Sequence, residues 1–132
     1  MRLLIVEDSA LIRKVTRLAF PSRSHELHEA ENGVQAMALL AHAAPFDAIV
    51  LDLRMPDMNG VEFLKQLRRD PRHRQTPIVV ATSEREDSEL LTDIRQLGVA
   101  AIVKKPWKPQ ELTQVVQQAI AQAGADGPAA GG

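Results

Sequence analysis

The chain contains no cysteine and no tyrosine, and phenylalanine and tryptophan together make up only 3% of it. Without thiols there is no disulfide framework, zinc–thiolate centre or cysteine nucleophile, and a reducing compartment suits the protein. Without aromatic clusters there is no surface on which nucleic-acid bases would stack. An excess of either charge is also lacking: 16 Lys and Arg against 17 Asp and Glu leave a net charge of −1. No global field therefore steers the chain toward nucleic acid or an anionic membrane. No apolar run approaches the ~20 residues of a membrane span. The opening "MRLLIVEDSA" turns acidic at Glu7 and Asp8, too soon for a signal peptide. The expected compartment is the cytoplasm, with neither nucleic acid nor membrane as a partner.

What is present is enough for one domain with a full core: 132 residues, 45% of them hydrophobic. Short apolar runs alternate with segments of helical period. "LLIVE" (3–7), "AIVLD" (48–52), "PIVVAT" (77–82) and "AAIVK" (100–104) are apolar on both faces, as strands of a covered parallel sheet are. "HELHEAE" (25–31) alternates polar with apolar and reads as a half-exposed edge strand. After Asp8, "SALIRKVTRLAF" places Leu11, Ile12, Val15, Leu18 and Ala19 on one helical stripe. "GVQAMALLAHA", "VEFLKQLRR" and "SELLTDIRQLG" carry similar stripes, with Gly98 where a helix C-terminus favours it. A last helix has Pro109 in its first turn and a stripe of Leu112, Val115, Val116, Ala119 and Ile120. The domain is read as residues 1–123, and "GADGPAAGG" (124–132) as a flexible tail or the start of a linker. Strand–helix alternation with right-handed crossovers predicts an α/β fold, a doubly wound three-layer sandwich. In such a fold, ligands bind beyond the carboxyl ends of the strands.

The strand ends are polar. The first closes in Glu7 and Asp8, the third in Asp52, the fourth in Thr82 and Ser83, and the fifth in Lys104 and Lys105. If these ends converge, three carboxylates would repel one another and hold a hard divalent cation through oxygen ligands, Mg²⁺ above all. A lysine would balance the charge of a phosphoryl group, and a threonine hydroxyl would donate a hydrogen bond to it. Phosphoryl transfer asks mainly for positioning and charge neutralisation, and a carboxylate so placed can act as the nucleophile.

The runs "VED" (6–8), "LDLRMPDMNG" (51–60), "ATS" (81–83) and "KKPW" (104–107), in this order, resemble the receiver domain of bacterial two-component response regulators, in particular the single-domain chemotaxis-type regulators. The resemblance spans residues 2 to 121 and implies a flavodoxin-like receiver fold, five helices around a five-stranded parallel sheet of order 2-1-3-4-5. By position it implies Asp52 as phosphoacceptor, Thr82 and Lys105 as the catalytic pair around the phosphoryl group, and Mg²⁺ held by Glu7, Asp8, Asp52 and the backbone carbonyl of Arg54. Lys104 is the neighbour of the matching lysine, and the bond before Pro106 is expected to be cis. Arg54, Ser83, Glu84, Ile102, Pro106 and Trp107 occupy switch or modulating positions. Two of them depart from the family's habit. Ile102 stands where an aromatic switch residue is common, and Trp107, the single tryptophan, stands where phenylalanine is common. An Arg54–Glu84 ion pair is expected to shield the acyl phosphate from water.

The resemblance further implies a signalling domain that is not an enzyme in its own right, although it assists its own phosphotransfer and autodephosphorylation. Its phosphodonor would be a sensor histidine kinase or a histidine phosphotransfer protein, docked on the first helix near Ile12 and Val15. Output would pass to a protein target through the fourth helix, fifth strand and fifth helix, from a monomer or a phosphorylation-dependent dimer. The alternative is the receiver portion of a longer regulator with a C-terminal DNA-binding or enzymatic output domain. An aspartyl-nucleophile phosphatase is disfavoured by Arg54, which stands where a second aspartate would act as general acid. A flavin carrier is disfavoured because an acidic pair, and no phosphate-cradling loop, follows the first strand. Taken singly, each residue has a plainer reading: Asp52 as a turn cap, Glu7–Asp8 as helix-dipole charges, Lys105 as a solvated cation. Their conjunction outweighs those readings. "HELHE" lacks the spacing of a zinc motif, His25 and His28 should face opposite ways, and His42 and His73 show no partner. "RRDPRHRQ" (68–75) reads as a solvated basic loop, and Asn32-Gly33 and Asn59-Gly60 as turns.

Overall fold

Apolar runs between polar stops, and one alternating segment, form five short strands: β1 (Arg2–Val6), the alternating β2 (Glu26–Ala30), β3 (Ala48–Leu51), β4 (Ile78–Thr82) and β5 (Ala101–Lys104). They alternate with helices α1 (Ala10–Ala19), α2 (Gly33–His42), α3 (Gly60–Arg69), α4 (Glu89–Gln96) and α5 (Pro109–Asp126). The computed structural model describes residues 1–21, 23, 25–42, 45–53, 60–83 and 88–126, with side chains to residue 124. The sheet is parallel throughout, in the order β2-β1-β3-β4-β5, so β2 is an edge strand as its alternating sequence predicts. The strand order reverses between β1 and β3, which opens a crevice at their carboxyl ends.

Alternation along the strands divides the core in two. Leu4, Val6, Ile49, Leu51, Ile78 and Val80 face one way and pack with Phe63, Leu64 and Leu67 of α3, Leu40 of α2, and Leu91 and Ile94 of α4. Leu3, Ala48, Val50, Val79, Ala81 and Val103 face the other way and meet Leu112, Val116 and Ala119 of α5 and Ala19 of α1. This is the three-layer sandwich, with α1 and α5 on one side and α2, α3 and α4 on the other. Each fully buried Leu, Ile or Phe contributes on the order of 1.5–3 kcal/mol relative to exposure, so the two clusters dominate the fold's stability. Among the described residues no helix is long and apolar enough to cross a membrane.

The helices end where their chemistry predicts. Ser9 and Ser88 cap α1 and α4, accepting from the amides of Ile12 and Leu91. Gly98 takes φ +81° just after α4, a conformation that favours glycine. Asn32 is a helix cap rather than half of an Asn-Gly turn: its Oδ1 accepts the amide of Gln35 at 2.8 Å, and Gly33 already belongs to α2. Helix α5 continues to Asp126, beyond the residue 123 at which the sequence reading closes the domain.

Two further expectations are corrected. The α1 stripe is buried only in part: Ala19 is buried and Ile12 and Val15 are half-buried, but Leu11 and Leu18 are 68% and 70% exposed, and Thr16, outside the stripe, is buried. Thr16 can enter the core because its hydroxyl donates to Ile12 O at 2.8 Å. Nor is 68–75 simply solvated. His73 is 3% exposed, and the Arg68 guanidinium donates to the carbonyls of His73, Arg74, Thr76 and Gly98. His25 and His28 do face opposite ways, their rings set edge-on to Phe20 and Phe46 respectively.

Candidate functional site

The site is built at the ends of β1 and β3. The ladder pairs Val6 with Leu51, and the amide of Asp52 donates to Val6 O at 2.9 Å. The residues that leave this last rung, Glu7 and Asp52, therefore emerge side by side. Both are nearly closed off from solvent, at 4% and 8% exposure. Asp8 follows at the entrance to α1 and is exposed. Carboxylate oxygens of Glu7, Asp8 and Asp52 all lie within 4.8 Å of one another.

Lys105 reaches this cluster from the far side of the sheet. Its Nζ donates to Glu7 Oε1 at 2.9 Å and stands 3.6 Å from Asp52 Oδ1. The chain brings it there because β5 pairs with β4 to the end, Thr82 against Lys104, and the Lys105 amide then donates to Thr82 O at 2.8 Å. Lys104 is the last ladder residue and Lys105 the first beyond it, so the two neighbouring lysines have different surroundings. The Lys105–Pro106 bond is cis, as expected. Thr82 closes β4 at 2% exposure.

One ammonium faces three carboxylates in a largely dry setting, and the strain appears at Glu7. Burial, the shared hydrogen bond with Asp8 and the repulsion of Asp52 push its carboxyl up to about 7, against the opposing pull of Lys105 and the Ser9 amide. Oxygen-only donors so crowded, with too little positive charge to neutralise them, fit a hard divalent cation such as Mg²⁺.

Of the modulating positions, Ser83 is exposed, Pro106 is exposed and Ile102 is half-buried. Ile102 packs against the α2–α4 core cluster, and Trp107 against the α1–α5 cluster. Arg54 and Glu84, and with them the shielding ion pair and the metal-binding carbonyl, lie outside the described residues. Sequence reasoning overlooked two residues that shape the loop after β1. Ser9 donates its amide to Glu7 Oε2 at 3.1 Å while its hydroxyl caps α1; a serine before an apolar-periodic run is a readable cap signal. Arg13 donates to the carbonyls of Glu7 and Asp8, and no local pattern announces that, since its acceptors are backbone atoms.

The sequence profile described as the response regulator receiver domain matches residues 3–117. The chain belongs to this family. As a receiver domain of two-component systems it is a signalling module, and its chemotaxis relatives match nearly end to end. It is 31% identical over 130 residues to a chemotaxis protein CheY homolog of Campylobacter jejuni, covering 98% of this chain and 99% of that protein. It is 33% identical over 118 residues to chemotaxis protein CheY1 of Helicobacter pylori, covering 89% and 94%. Against the regulatory protein AtoC of Escherichia coli it is 34% identical over 119 residues, 90% of this receiver but only 25% of that protein. Among solved structures, the chemotaxis response regulator CheY4 of Vibrio cholerae superposes with a TM-score of 0.80 at 31% identity, over 89% of this chain and 97% of that one. The sheet order and helix placement are those of this receiver fold.

Proposed function

We propose that this receiver domain is a phosphorylation switch in which Asp52 accepts a phosphoryl group from a phosphohistidine of a sensor kinase or phosphotransfer protein. An Asp52 carboxylate oxygen attacks phosphorus, the donor's P–N bond breaks, and an acyl phosphate results. Glu7, Asp8, Asp52 and the Arg54 backbone carbonyl would hold Mg²⁺, which when bound neutralises charge on the transferring group. Lys105, lying between Glu7 and Asp52, pairs with the phosphoryl oxygens, and the Thr82 hydroxyl donates to one of them. The altered surface then changes which protein partner is preferred, through α4, β5 and α5, while α1 docks the donor. With Ile102 at the usual aromatic position, the report to that face runs through packing of β5 against α4 rather than a turning ring.

The observation that carries this reading is the convergence of Glu7, Asp8, Asp52 and Lys105 at one crevice. Near-complete coverage of the chemotaxis relatives supports a receiver acting alone, through protein contact. The one-quarter coverage of AtoC supports the second reading, a receiver joined to an output domain through a linker that follows α5. The deciding experiment is intact mass after incubation with Mg²⁺ and acetyl phosphate, beside Asp52→Asn. A gain of one phosphoryl group by the wild type alone is expected. A gain by both proteins would move the acceptor elsewhere, and no gain by either would remove small-donor phosphorylation from the reading.

A further inference from the structure

The carbonyls of Glu7 and Asp8 lie beyond the last β1–β3 rung and before the first turn of α1, where no ladder or helix bond claims them. A loop of this kind normally wavers, and the aim of the Asp8 carboxylate would waver with it. Here both carbonyls are taken by one side chain. Arg13 Nη1 donates to Glu7 O at 2.7 Å and to Asp8 O at 3.2 Å. The same guanidinium is anchored on its other side, with Nε 3.2 Å from Glu29 Oε1 and Nη2 3.7 Å from Glu31 Oε1. Only 13% of the Arg13 side chain is exposed, so this is a partly buried clamp and not a loose surface pair.

A cation so close to a metal site would ordinarily weaken it. Two features offset that. Glu29 and Glu31 share the Arg13 charge, and Arg17 Nη1, 2.6 Å from Glu29 Oε2, completes a set of two guanidiniums and two carboxylates. The guanidinium also contacts backbone carbonyls, leaving the carboxylate oxygens to face the crevice.

We infer that Arg13 is a positioning residue for the cation site: by bridging the Glu7 and Asp8 carbonyls to the edge strand β2 it fixes the backbone that aims the acidic pair at Asp52. The inference rests on the reading of Glu7, Asp8 and Asp52 as cation ligands. It assigns β2 a role as well, because Glu29 of β2, with Glu31 just beyond the strand, holds the far end of the clamp. A planar fork is needed, since one group must reach two carbonyls and two carboxylates at once.

The test is calorimetric titration of the metal-free protein with Mg²⁺, for wild type, Arg13→Lys and Arg13→Met, with thermal unfolding in EDTA recorded for each. Lysine keeps the charge and the apolar stem but not the fork, and methionine keeps the stem alone. Both variants should bind Mg²⁺ about tenfold more weakly, the lower end of what outer-shell partners of metal ligands contribute. Saturating Mg²⁺ should restore the full phosphorylated mass with acetyl phosphate, so the half-saturating Mg²⁺ concentration rises while the end point does not fall. A purely structural role would lower the unfolding temperature and leave Mg²⁺ affinity within twofold of wild type, which overturns the inference. Wild-type affinity in Arg13→Lys beside a loss in Arg13→Met would show that a single ammonium donor suffices and the fork is not needed, and overturns it too. Should Arg13→Met fail to fold, Arg13→Lys carries the decision. A wild type that binds no Mg²⁺ overturns the cation site itself, and is thereby distinguishable from a failure confined to Arg13.

Discussion

Replacing Arg68 by alanine should destabilise the domain by about 3 kcal/mol while leaving phosphoryl acceptance intact. Arg68 lies in the last turn of α3 and donates from Nη1 to the carbonyls of His73 (3.0 Å), Arg74 (3.0 Å) and Thr76 (2.9 Å), and from Nη2 to Gly98 O (3.0 Å). Nη1 carries two hydrogens for three acceptors, so the cage is worth roughly three full bonds, each about 1.5 kcal/mol for a charged donor in a half-exposed place. Burial opposes part of this, since it also holds the Arg68 guanidinium below its ordinary value. The balance is ~3 kcal/mol, or ~10 °C in unfolding temperature for a domain of this size. Lysine, with one compact ammonium, should recover about half of it. Urea unfolding followed by far-UV circular dichroism, with an unchanged m-value, reads the difference. The cage sits where β4 and β5 begin, at the opposite end of the strands from Asp52, so the phosphorylated mass should match wild type. A loss below about 1 kcal/mol would mean that water serves these carbonyls as well as the guanidinium does, and would refute the reasoning.

Gly60→Ala places a Cβ 2.8 Å from Leu53 Cα and 3.3 Å from Asp52 O, and backbone cannot yield as a side-chain tip can. A loss of ~1–3 kcal/mol, with slower phosphorylation as Asp52 and Leu53 shift, should appear in urea unfolding and in mass time courses; wild-type values for both would contradict the close approach. Thr113→Val removes a hydroxyl that donates to Ala19 O at 2.7 Å and Pro109 O at 2.9 Å, tying α5 to α1, and should cost about 1 kcal/mol in the same unfolding assay. If Arg54 pairs with Glu84 as proposed, Arg54→Ala should shorten the life of the acyl phosphate after the donor is removed, because a surface ion pair, worth ~0–1 kcal/mol, would act on water access more than on stability. An unchanged decay of the phosphorylated mass would dismiss the shielding pair.

How much was legible in advance follows from what each element needed. Strands β1, β3 and β4 are covered on both faces, so their runs had to be continuously apolar, and such runs can be read without knowing their neighbours. The polar stops that end them, Glu7, Asp52 and Thr82, were visible for the same reason. A stripe on α1 was less decisive. Leu11 and Leu18 lie to one side of the contact and Thr16 within it, because a threonine hydroxyl bonded to Ile12 O hides its polarity from the core. The basic run 68–75 misled in the opposite direction. Charge predicts solvation only when no carbonyl is near, and Arg68 found four. Clamps such as Arg13 leave no periodic trace, since backbone acceptors are supplied by every residue type.

The sequence by itself determined the alternation of strands and helices, the sheet's covered character and the identity of the groups at the strand ends, because these depend on local pattern and on residue type. Only the tertiary structure decided that Lys105 meets Glu7 across 98 residues of chain, that Glu7 is dry enough to be pushed up to about 7, and that Arg13 ties the acidic loop to β2. Those are matters of distance and desolvation, and both arise when separate strands close side by side.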